Sequence, residues 1–198
     1  MKGSKTKRAL FEDAVRVFRN GQPKDRRRAF LLMSAAAETG LADAIAGLGV
    51  MYDYGIGTKS SPADAVRLYR RAAEHGNRDA QFNLGLALYE GRGARRNRQA
   101  AVRWFRSATA QGLPEAMHQL GYCFRYGHGV RKNRKRGFKL ELRSAKRGYA
   151  EAQFAVGVCY SRGEGVKADK KAAMKWFSKA AKKGHKDAAH NVALMRTA

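Results

Sequence analysis

Residues 80–112 read AQFNLGLALYEGRGARRNRQAAVRWFRSATAQG, and the spacing inside this stretch decides the fold. Apolar residues fall three and four apart from Ala80 to Glu90 and again from Ala100 to Ala110, the pattern of two amphipathic helices. Gly91 and Gly93 stand between them, and glycine adopts the left-handed backbone that ends a helix at little cost. Asn97, a strong N-cap residue, opens the second helix. The stretch is a helical hairpin, and it recurs: Gly49, Gly85, Gly121 and Gly157 are each 36 residues apart.

The same step relates Gly55, Gly91, Gly127 and Gly163, then Gly57, Gly93, Gly129 and Gly165, then Gly40, Gly76, Gly112, Gly148 and Gly184. Ala44, Ala80, Ala116, Ala152 and Ala188 follow it too. Asp25, Ser61, Asn97, Asn133 and Asp169 are the expected N-caps of the second helices, with Pro62 at a position where a missing N–H costs nothing. Asp43, Asp79, Glu115, Glu151 and Asp187 place acid at the starts of the first helices, where the helix dipole favours it. The organisation expected is a basic tail over 1–7, a degenerate capping repeat over 8–40, four full repeats over 41–77, 78–113, 114–149 and 150–185, and a capping helix over 186–198. Asp13 stands where later repeats have Gly49 or Gly85, which is expected if no earlier repeat crowds that surface.

The 198 residues include 41 Lys and Arg against 16 Asp and Glu, a formal net charge of +25, yet 44% are hydrophobic, enough to bury a core. No apolar run approaches the roughly 18–20 residues of a membrane span; the best, Ala29 to Ala37, is short and contains Ser34. Glu12, Asp13 and Arg16 interrupt the basic N-terminus before an apolar stretch of signal-peptide length develops, so a cytoplasmic location is expected. Two cysteines, Cys123 and Cys159, cannot build a disulfide framework or a four-cysteine metal site.

Ala80-Gln81-Phe82-Asn83-Leu84-Gly85 followed by Tyr89, Gly91 and Gly93 resembles a Sel1-like repeat. So does Ala152-Gln153-Phe154-Ala155-Val156-Gly157 with Tyr160, Gly163-Glu164-Gly165-Val166, Asp169, Lys171-Ala172, Trp176-Phe177-Ser178-Lys179-Ala180-Ala181 and Gly184. The resemblance spans about 41–198, with a weaker echo before. It implies an all-α fold, a right-handed α/α superhelical solenoid of 36-residue helix-turn-helix repeats related to tetratricopeptide arrays, whose members usually serve as adaptors and scaffolds. Tyr89 sits one place beyond the tyrosine of the pattern, where this sequence has Leu88. Secreted, cysteine-rich relatives tie the helices of each repeat by a cysteine pair. Cys123 and Cys159 are instead single and equivalent in neighbouring repeats, so that subgroup is not implied.

Candidate chemistry is sparse. The Gly-x-Gly elements follow a helix and recur in every unit, unlike phosphate-cradling loops, which follow a strand. No two of His75, His118, His128, His185 and His190 have the i, i+4 spacing of a helical metal site. Cys123 and Cys159 fall among apolar neighbours, the setting of inert packing thiols. No nucleophile–base–acid group can be assembled from spacing, so the sequence reads as non-enzymatic, with no metal and no cofactor.

Two surfaces remain. Winding the first-type helix at 100° per residue buries Ala44, Leu48 and Tyr52 together and turns the equivalents of 46, 47, 50, 53 and 54 the other way. That arc carries Asn83, Gln119, Tyr122, Arg125, Tyr126 and Arg162, the expected partner-binding residues of a concave groove, with His118 beside them. The expected partner is a protein or peptide, and an acidic one would be steered by the charge. The alternative is a polyanion binder, nucleic acid or an acidic surface, using the loop cations Arg95, Arg96, Arg98, Arg131, Lys132, Arg134, Lys135 and Arg136. The N-terminal stripe of Leu10, Phe11, Ala14, Val15 and Phe18 would suit a membrane interface if isolated, but capping the array is the simpler reading.

Overall fold

The computed structural model describes residues 6–19, 22 and 24–197; residues 1–5 of the expected basic tail lie outside these. Among the described residues all regular structure is α-helical: α1 (Lys7–Arg19), α2 (Asp25–Glu38), α3 (Ala42–Tyr54), α4 (Pro62–Glu74), α5 (Arg78–Glu90), α6 (Arg98–Ala110), α7 (Pro114–Tyr126), α8 (Arg134–Lys146), α9 (Ala150–Arg162), α10 (Lys170–Ala181) and α11 (Lys186–Thr197). None of them is long and apolar enough to cross a membrane. The chain divides into two compact units, residues 1–97 and 98–198. Within each, helices pack on their neighbours in the chain, α1 on α2 and α3 on α4 in the first unit, α7 on α8 and α9 on α10 in the second.

The helix ends follow from the residues placed there. Gly127 caps α7 in the left-handed region (φ 81°), its N–H bonded to Cys123 O. The loop then closes by one backbone bond that recurs at the 36-residue step: Ser61 to Tyr52 O, Asn97 to Leu88 O, Asn133 to Phe124 O and Asp169 to Tyr160 O. Ser61, Asn133 and Asp169 accept N–H bonds from Asp64, Arg136 and Ala172, as N-caps do. Asp25 departs from that expectation: it is the first residue of α2, behind an N-cap Lys24 that makes no side-chain bond. Asn77 caps α5 by accepting from Ala80 N, a cap the 36-residue register of second helices did not announce.

The core is built on small residues. Ala44, Ala80, Ala116, Ala152 and Ala188 are all 0% exposed, so the helices they line approach closely enough for larger side chains to interdigitate. Leu84 is fully buried as well, worth about 1.5–3 kcal/mol. Tyr52, expected in the same buried stripe, is half-buried and meets Phe30 edge-on at 5.4 Å. Gln81 and Gln153, equivalent residues of the quoted motif, are buried and donate to Ala73 O and Ala145 O. They tie each first helix to the end of the helix before it.

The glycine at 49 and 157 has a different cause from the one expected. A Cβ on Gly49 would lie 2.8 Å from the Tyr69 ring and one on Gly157 2.6 Å from that of Phe177. These rings belong to the second helix of the same repeat, so the small residue makes room within the hairpin and not for an earlier repeat. In the first repeat the register of Tyr69 and Phe177 is occupied by Met33, and Asp13 pairs with Arg16 at 2.6 Å.

Candidate functional site

A cleft of about 360 Å³ opens between α7 and α9 in the second unit. Phe154, Ala155 and Val158 of α9 line one side, Tyr122 and Tyr126 of α7 the other, with His118, Glu151 and Arg162 around them. Tyr122 and Tyr126 lie one helical turn apart, their ring centroids separated by 4.6 Å, and remain 36% and 44% exposed. His128 approaches both rings, at 5.5 Å and 6.1 Å. Such a pair of amphipathic rings beside an apolar wall presents contact area at low entropic cost.

Of the six expected groove residues, Tyr122, Tyr126, Arg125 and Arg162 line this cleft. Gln119 is half-buried on α7 and is not among the lining residues; Asn83 belongs to α5 in the other unit. Arg125 is a correction. It is only 3% exposed, Nη1 donates to both Glu141 oxygens at 3.1 Å, and Nη2 donates to Glu164 Oε2 at 2.6 Å and to Tyr126 OH at 3.2 Å. A guanidinium so engaged supports the cleft wall and offers little to a partner. Arg162, exposed at the end of α9, is the arginine a ligand can reach.

The network behind the wall explains two oddities of the third repeat. Glu141 stands at the register of Tyr69, Phe105 and Phe177 and is 0% exposed. Gly137 stands at the register of Ala65, Ala101 and Ala173, and a Cβ there would lie 2.6 Å from Arg125 Cγ and from Gly121 O. An ion pair has replaced a packed ring, and the helices close around it. Burial opposes charge on Arg125, but the facing Glu141 and Glu164 outweigh it and hold the guanidinium above its ordinary value. Burial pushes Glu141 up against the pull of Arg125, while the hydrogen bond from Arg125 holds Glu164 below the usual carboxylate range. This departure from register was the signal in the sequence that could have found Glu141.

The remaining titratable groups are those of a packed interior. Burial lowers His118 to about 4, with Glu151 pulling the other way, and its Nδ1 is buried without a partner. Cys123 and Cys159 are free and buried, their thiols pushed up by burial to about 11 and about 12; such thiols are poor nucleophiles. Among the described residues no group of three His, Cys, Asp or Glu could hold a metal ion. The loop cations Arg95 and Arg96 in the first unit, and Arg98, Arg131, Lys132, Arg134, Lys135 and Arg136 in the second, are exposed. Arg92 is instead drawn to Asp53, 2.8 Å away.

The Sel1 repeat family model matches residues 8–41, 42–77, 78–113, 114–149 and 150–185. The chain belongs to the Sel1 repeat family. Its fold is shared with a Sel1 repeat protein from Oxalobacter formigenes, 29% identical, with a TM-score of 0.88 over 94% of this chain and 75% of that one. It is also shared with c5321, a protective antigen of uropathogenic Escherichia coli displaying the same repeat fold, 32% identical, with a TM-score of 0.85. That match covers 94% of this chain but 40% of the antigen. An immunity protein from Pseudomonas aeruginosa, 20% identical with a TM-score of 0.62, covers 94% of this chain and 69% of its own, and shows the fold alone. No curated protein matches the sequence. Sel1 repeat proteins are generally non-catalytic scaffolds for protein interaction.

Proposed function

We propose that this Sel1 repeat protein is a non-catalytic adaptor, working in the cytoplasm, that holds an extended peptide segment of a partner protein in the cleft between α7 and α9. The observation that carries the reading is the pair of exposed rings, Tyr122 and Tyr126, facing the apolar wall of Phe154 and Val158. An aromatic or aliphatic side chain of the peptide enters between them, and a carboxylate of the peptide pairs with Arg162. A volume of about 360 Å³ suits one or two side chains, which makes this an anchor point along a longer contact.

The test selects peptides on the full chain from a random library and measures their affinity for variants. Tyr122→Ala and Arg162→Ala alter exposed residues, so circular dichroism should be unchanged. Truncating the ring anchor should cost about 2 kcal/mol, roughly thirtyfold in affinity. Asn83→Ala, in the other unit, should leave affinity as it was. Selected peptides that bind all three variants like the parent would remove the cleft from the account.

A further inference from the structure

Residues 98–198 carry 23 Lys and Arg against six Asp and Glu, whereas residues 1–97 carry 18 against ten. Part of this charge sits where helix physics disfavours it. α6 begins with Arg98, α8 with Arg134, Lys135 and Arg136, and α10 with Lys170 and Lys171, and none of the three has an acid in its first turn. α4 in the first unit, by contrast, opens with Asp64 and no cation, while α2 sets Asp25 ahead of Arg26, Arg27 and Arg28. The helix dipole repels cations from a first turn; this charge works against the stability of its own helices.

The loops extend the pattern and join it. Arg131 and Lys132 precede α8, and Lys167 precedes α10. A Cβ on Gly129 would lie 2.3 Å from Arg98 O, and one on Gly165 2.3 Å from Arg134 O. The loop before α8 therefore rests on the start of α6, and the loop before α10 on the start of α8. Arg98, Arg131, Lys132, Arg134, Lys135, Arg136, Lys167, Lys170 and Lys171 form one exposed ladder across three repeats. Of the carboxylates of this unit, Glu141 and Glu164 hold Arg125, Glu151 bonds His185 and Asp169 caps α10, and Glu164 also feels the charge of Arg134.

We propose that this ladder binds double-stranded nucleic acid through its phosphates, without reading sequence. A row of cations repeated by the stacking of repeats matches a polymer whose charge also repeats, and the arginine forks suit phosphate oxygens. The exposed large hydrophobic residues among those described are Phe18, Leu31, Tyr54, Tyr122, Tyr126 and Leu194, all off the ladder. The ladder thus lacks both the apolar side chains that enter a membrane interface and the rings on which single-stranded bases stack. Phe124 lies 4.4 Å beneath the Arg136 guanidinium but is itself 3% exposed, closed to a base.

Fluorescence anisotropy of the full chain with a labelled DNA duplex of scrambled sequence tests this. Engagement of six or more phosphates predicts affinity falling linearly with salt on logarithmic axes, by about a thousandfold between 50 and 200 mM. Arg131→Glu with Lys132→Glu and Lys135→Glu should flatten that slope by about three and weaken binding more than tenfold. Arg143→Glu with Lys146→Glu and Arg147→Glu makes the same charge change at exposed positions at the far end of α8, two turns from Arg136, and should leave affinity within about threefold near physiological salt, where charges are screened beyond about 8 Å. Circular dichroism checks that both variants fold. Equal losses in the two variants would reduce the effect to net charge and overturn the ladder. Polyglutamate or anionic phospholipid vesicles binding as tightly at the same salt, and losing that binding in the first variant, would assign the ladder to another partner and overturn the nucleic-acid proposal.

Discussion

Asp53 in the first unit and Arg125 in the second occupy the same register, and each bonds the residue 39 positions on: Arg92 at 2.8 Å, Glu164 at 2.6 Å. Arg92 and Glu164 are the middle residues of two Gly-x-Gly loops. The clamp between one repeat and the next is thus conserved in place and inverted in sign. The difference lies in what stands behind it. Asp53 accepts at 3.2 Å from the hydroxyl of Tyr69, a packed ring, whereas Arg125 faces the buried carboxylate of Glu141 at the same register. A repeat therefore fixes where a contact forms and leaves its chemistry open. The second unit uses that latitude to bury a charge beside the cleft.

The largest effect is expected of Arg125→Ala, which leaves Glu141 buried without its partner. Loss of about 3–5 kcal/mol is expected, a fall of roughly 10 °C in melting temperature for a chain of this size. Arg125→Ala combined with Glu141→Phe restores the ring found at Tyr69 and Phe177 and should recover most of the loss, read by calorimetry. A double variant as unstable as the single would contradict the view that an ion pair has replaced a ring.

A middle effect sits in the same wall. The folded-state value of His118 lies near 4, below its ordinary 6.5, so the unfolded chain takes the proton first and stability is lost as pH falls from about 6.5 toward about 4. The contribution is about 1–3 kcal/mol. Denaturation of His118→Gln should show a shallower pH dependence across that window than the parent; parallel curves would refute it. The smallest effect concerns the first clamp. Arg92 is 39% exposed at its side chain, so a double-mutant cycle with Asp53→Ala and Arg92→Ala should give a coupling below about 1 kcal/mol. A coupling as large as that at Arg125 would mean the two clamps do not differ as described.

What the sequence made legible follows from what a register can carry. Glycine and alanine steps placed every helix after the first, because those residues are demanded by backbone shape and close packing. Tyr122, Tyr126 and Arg162 were legible as cleft residues from helical winding alone. Arg125 was not, since winding one helix cannot see the Gly-x-Gly loop that carries Glu164 over it, nor the second helix that brings Glu141 beneath it. The cation ladder was legible as charge. Its continuity was not, because that depends on Gly129 and Gly165 resting against the helix starts of the preceding repeat.

The cleft between α7 and α9 is the proposed seat of the partner. The most direct measurement compares the affinity of a selected peptide for the parent chain and for Tyr122→Ala, at low and at moderate salt. A loss of roughly thirtyfold is expected at both salts, because a ring anchored against Phe154 and Val158 acts through contact area and not through charge. Unchanged affinity for Tyr122→Ala, with binding abolished by moderate salt alone, would contradict it and move the partner from the cleft to the cations.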